Sequence, residues 1–125
     1  MALDINAIQY KYDNGGYTCD ITIPTKVPVD HVFDEDLSVR HNRKLATEHN
    51  ASVDRMRKEK RELQQKLDEQ LTADVVTYLT ESYGFSERHA KVIETFVYQE
   101  HHDCMSDYFS HIDAYADFAC MLIFF

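Results

Sequence analysis

From Phe85 to Phe125 the chain contains neither glycine nor proline, so forty-one residues run without a residue that breaks a helix. Ala90, Ile93, Val97, Cys104, Tyr108, Ile112, Tyr115, Ala119 and Leu122 recur in steps of three and four, with one gap at His101. That period places them on one side of a helix, and the spacing predicts a single C-terminal helix over 86–124 with a buried stripe. Phe96, Phe109 and Phe118 lie off that line, so the apolar face is wide. The closing Met121-Leu122-Ile123-Phe124-Phe125 is too apolar to stand in water, and needs cover from another part of the chain or from a second subunit.

Upstream, residues 34–83 carry a thinner stripe. Leu37, Leu45, Val53, Met56, Leu63, Leu67 and Leu71 are separated by charged residues, and from Val53 the steps alternate between three and four. A narrow stripe on a charged helix implies contact with one or two neighbouring helices. Thr72 is able to cap a new helix, so 34–83 reads as one helix or two. Gly84 suits the left-handed position that ends a helix, and Ser86 suits the cap of the next. Arg55 with Glu59 and Lys58 with Glu62 have the spacing of ion pairs along a helix.

Residues 6–24 read as a β-hairpin. Ile8, Tyr10 and Tyr12 alternate with polar residues, as do Tyr17, Cys19, Ile21 and Ile23, around the turn-forming Asp13-Asn14-Gly15-Gly16. Two strands alone are marginal in water, so this hairpin needs a helix or another chain beneath it. The expected architecture is therefore a single domain over 1–125, mainly α with an N-terminal β-hairpin. Two or three long antiparallel helices follow, packed as a homo-oligomeric helical assembly.

The net charge of −9 repels nucleic-acid backbones, so direct nucleic-acid binding is not expected. No apolar run is long enough to span a membrane, and the N-terminus has no signal-peptide pattern. Cys19, Cys104 and Cys120 are odd in number and lack CxxC spacing, which suits free thiols in a reducing cytoplasm. His101, Cys104, Tyr108 and His111 share a helical stripe, with Asp103 and Asp107 beside it. No HExxH, ExxH pair or CxxC accompanies them, so no metal or cofactor is expected. Nor does a nucleophile with an aimed base emerge around Cys104, and the expectation is a protein that is not an enzyme.

One basic cluster stands out. Arg40, Arg43 and Lys44 bracket His41 and Asn42, and no carboxylate follows them until Glu48, although Asp36 has the spacing to meet Arg40. Arginine and lysine supply donors for phosphate, and Asn42 suits a base edge or ribose.

The segment Val97 to Ala119 resembles a pattern in small accessory proteins of tailed bacteriophages. Tyr98, Glu100, His102 and the run Tyr115–Ala119 match it, while His101 stands where glycine is usual and Asp103 where serine is usual. The layout of a hairpin and long helices is also similar to that of the Thoeris anti-defence sponge proteins of phages. That resemblance implies an oligomer in the host cytoplasm that sequesters a cyclic-nucleotide or ADP-ribose-derived immune signal. It implies a pocket between subunits, and the candidate ligands here are Arg40, Asn42, Arg43, Lys44, Tyr98 and His102. Two other readings fit the residues: an acidic inhibitor of a host nuclease, CRISPR effector or other immunity protein, and a structural or scaffold component of a virion.

Overall fold

The structure is a computed structural model and describes residues 4–30 and 34–124, with side chains up to 122. Among the described residues four helices appear in order: α1 (Ile5–Asp13), α2 (Val39–Tyr83), α3 (Glu87–His101) and α4 (Met105–Phe124). The chain divides into two compact units, one made of residues 1–18 and 67–125 and the other of 19–66. The 45 residues of α2 contribute to both.

The expected β-hairpin over 6–24 does not form, and no strand occurs among the described residues. Residues 5–13 are helical instead. Asp4 caps the helix by accepting from the Ala7 amide at 2.7 Å. Ile5 and Ile8, three residues apart, bury on one side. The Asn-Gly-Gly sequence closes this helix instead of reversing a strand. Gly15 takes φ +81°, the Gly16 amide reaches the Lys11 carbonyl at 2.8 Å, and the Gly15 amide reaches that of Tyr12 at 3.1 Å. These two bonds are the pairing that satisfies the last carbonyls of a helix.

In the unit of residues 19–66, residues 19–28 form neither helix nor strand. Side chains of α2 bond several of their backbone groups. Gln64 accepts from the Cys19 amide at 2.9 Å. Asn50 accepts from the Val27 amide at 2.9 Å and donates to the Val27 carbonyl at 2.7 Å. Lys26 meets Asp54 at 2.7 Å and holds that carboxyl below its ordinary range. The expected pairs Arg55–Glu59 and Lys58–Glu62 do not form. Ser38 caps α2 at the His41 amide, and the helix continues through Thr72 unbroken.

The other unit holds the main core. Ile5 and Ile8 of α1, Tyr17, and Leu71, Val75 and Leu79 of α2 pack with Phe85, Ile93, Val97, Tyr108, Phe109, Ile112 and Ala116. Three hydrogen-bonded tyrosines sit at its edges. Tyr17 donates to Asp74, and Asp113 accepts from both Tyr78 (2.5 Å) and Tyr83 (2.8 Å). Burial, then the neighbouring carboxylate, raises all three phenols, Tyr78 to about 12. Gly84, at φ +78°, ends α2, and Ser86 caps α3 at the His89 amide, as the sequence leads one to expect.

The single C-terminal helix expected over 86–124 is two helices, broken at His102, Asp103 and Cys104. Histidine, aspartate and cysteine are all weak helix formers. The break lets α4 fold back on α3, with His111 against His101 and Tyr115 against Phe96. One straight helix would have left the wide apolar face without cover. Phe125 and the side chain of Phe124 lie outside the described residues.

Candidate functional site

The α3–α4 pair has an inner and an outer side. On the inner side Ala90, Ile93 and Val97 face the core from α3, and Tyr108, Ile112 and Ala116 from α4. Between them lies Glu94, 5% exposed, which accepts from the Tyr108 hydroxyl at 2.9 Å. Burial pushes the Glu94 carboxyl up, and the Tyr108 bond only partly opposes this. Burial and the adjacent Glu94 raise the Tyr108 phenol as well.

On the outer side the stripe of α3 runs Arg88, Val92, Phe96, Gln99 and that of α4 runs Asp107, His111, Tyr115, Phe118, Leu122, all at helical steps of three or four. The two stripes touch where the Phe96 and Tyr115 rings meet edge to face at 5.1 Å. Val92, Phe96, Phe118, Met121 and Leu122 are between 47% and 71% exposed. A hollow of about 670 Å³ lies along this side of α3, lined by Arg88, Lys91, Val92, Thr95, Phe96 and others. At the end near the α3–α4 turn, the His101 and His111 rings stack at 3.9 Å. His111 Nδ1 lies 2.7 Å from the Asp107 carbonyl, which can only accept, so this nitrogen carries the proton.

Charge is divided unequally between the two units. Residues 1–18 and 67–125 hold thirteen acidic side chains and three basic ones, Lys11, Arg88 and Lys91. Residues 19–66 hold nine acidic and ten basic. The whole acid excess therefore belongs to the unit that carries α3 and α4. Glu81, Glu100, Asp103 and Asp117 stand exposed there, without a cationic partner among the described residues.

No family model matches the chain, and no curated protein or solved structure shows significant similarity to it. What the molecule does has to be argued from its own surfaces.

The candidate ligand residues fall in both units. Arg40 and Lys44 are exposed on the first turns of α2. Arg43 lies 3.2 Å from Asp30. Asn42 is 4% exposed and is committed to the fold. It accepts from the Asp34 amide at 3.1 Å and donates to the carbonyls of Asp34, Leu37 and Ser38. An amide used in this way pins the approach to α2 and offers nothing to a nucleobase. Tyr98 and His102 belong to the other unit, at the end of α3, with ring centroids 5.6 Å apart and both side chains exposed. His101, Cys104, Tyr108 and His111 do not form a metal centre, since no group of three or more suitable ligands occurs among the described residues. Cys104 is exposed while Tyr108 is buried. The outer apolar face was signalled by Phe96 and Phe118 lying off the buried line, which marked a second face and not a broader first one.

Proposed function

We propose that this chain is a non-enzymatic binding protein of phage accessory type, and that it blocks a basic surface on a host defence protein with its acidic unit. The observation that carries this reading is the charge division: thirteen carboxylates against three cations, several of them exposed and unpaired. Such a surface attracts the cationic channels that hold nucleic acid in nucleases and CRISPR effectors, and it speeds encounter with them. The buried Glu94 and the half-buried Asp113 are used by tyrosines, so the exposed carboxylates do the recognising.

The test is a competition experiment. A host nuclease or CRISPR effector is loaded with fluorescent nucleic acid and titrated with the chain at low and high salt. Displacement at low salt that weakens as salt rises, and that falls at least tenfold when Glu100, Asp103 and Asp117 are changed to lysine, is expected. Displacement indifferent to those changes, or none across a panel of such proteins, contradicts the reading.

Capture of an anionic nucleotide signal is the second reading, supported by the exposure of Arg40, Lys44, Tyr98 and His102. It requires a melting temperature raised by one cyclic nucleotide or NAD-derived compound, and loss of that shift in Arg40→Glu.

A further inference from the structure

We infer that the outer face of the α3–α4 pair is covered by a second copy of this chain, related by a two-fold axis passing near Phe96 and Tyr115. The proposal goes beyond the acidic-inhibitor reading, is tested at Arg88 and Asp107, which that reading does not vary, and fails or holds separately from it.

The argument begins with polarity along the face. Arg88 lies eight residues before Phe96 on the α3 stripe, and Asp107 lies eight residues before Tyr115 on the α4 stripe. Because Phe96 and Tyr115 touch and the helices run in opposite directions, these charges lie at opposite ends of the face. At 1.5 Å per residue each is about 12 Å from the centre, and they are about 24 Å from one another. They cannot pair within one chain. A two-fold rotation about the centre exchanges the ends, and so sets Arg88 of each copy against Asp107 of the other.

The cations of this unit are placed where such an arrangement needs them. Of the three, Arg88 and Lys91 both border the apolar hollow, at the same end. Lys91 is held by Glu87 at 3.0 Å, whereas Arg88 has no carboxylate partner among the described residues. Acidic residues gather at the opposite end, with Glu100 and Asp103 beside Asp107. A surface of one sign would repel its own copy. Here the opposite signs stand equally far from a central aromatic pair, and Val92, Phe118 and Leu122 are exposed on the Arg88 half of the face. The face is self-complementary in charge, with the Phe96 and Tyr115 rings at its centre and opposite signs at its ends.

Sedimentation equilibrium of the full-length chain over a wide concentration range tests this. Wild type is expected to be a dimer that dissociates on dilution. Arg88→Asp and Asp107→Arg are each expected to weaken it at least tenfold, by setting like charges together at both rims. The double variant carrying both changes is expected to recover dimerisation to within a few-fold of wild type, because the swapped charges meet again across the axis. Far-ultraviolet circular dichroism and melting checks that each variant is folded. A wild type that stays monomeric at every concentration overturns the proposal. So does a dimer indifferent to either single change, or folded single variants that the second change does not rescue.

Discussion

Glu94 shows how one buried group sets a pH dependence. Its carboxyl is raised above the ordinary value of 4.5 in the folded protein. The folded state therefore holds the proton to higher pH than the unfolded state does. Stability is fully present below about 4.5, and falls as pH rises through the elevated folded value. Glu94→Gln keeps an acceptor for the Tyr108 hydroxyl and carries no charge. The expected outcome is a variant more stable than wild type at neutral pH by about 1 kcal/mol, with the difference vanishing near pH 4. Melting curves of both proteins across pH read this directly. Asp113 accepts from two phenols. Asp113→Ala leaves Tyr78 and Tyr83 without it and is expected to cost about 2–3 kcal/mol by urea unfolding. Neither pairing was legible in the sequence. Glu94 and Asp113 look like surface charges until the helices are placed. Asn42 misled in the other direction: it sits among basic residues, yet its amide closes the turn before α2.

At the level of elements, the buried stripe of the C-terminal region was legible in part: Ala90, Ile93, Val97, Tyr108 and Ile112 are in the core, whereas Cys104 and Leu122 of the same line are exposed. α3 ends at His101, the one gap in that line, where the spacing was read as continuing in a single helix. The hairpin was misread for a physical reason. Gly15 needs a positive φ in a tight strand reversal and equally at a helix end, so the local signal serves both. Ile8, Tyr10 and Tyr12 alternate, but Ile5 and Ile8 also satisfy a helical step, and burial against α4 favours the helix. The irregular segment after Thr18 is held instead by α2 side chains. Asn50→Ala removes both bonds to Val27 and is expected to cost about 2 kcal/mol. Faster hydrogen exchange at the Val27 amide would locate that loss. Gly84, at φ +78° with no atom within 4 Å of an added Cβ, isolates backbone strain from packing. Gly84→Ala is expected to destabilise by about 1 kcal/mol, measured by thermal unfolding.

Across the whole molecule, the net charge of −9 was available from composition, but its confinement to one unit was not. It emerges only once residues 1–18 are grouped with 67–125, apart from the basic stretch of α2. The same grouping makes Arg88 and Lys91 conspicuous, because cations are scarce around them. The proposed function requires that the acidic unit, and not the basic stretch, meet the host partner. Carboxyl labelling of the chain, free and bound to a nuclease or CRISPR effector that it displaces from nucleic acid, measures this site by site. Reduced labelling at Glu81, Glu100, Asp103 and Asp117, with Glu48, Glu59 and Glu62 unchanged, is the expected result. Protection confined to Glu48, Glu59 and Glu62 would contradict it.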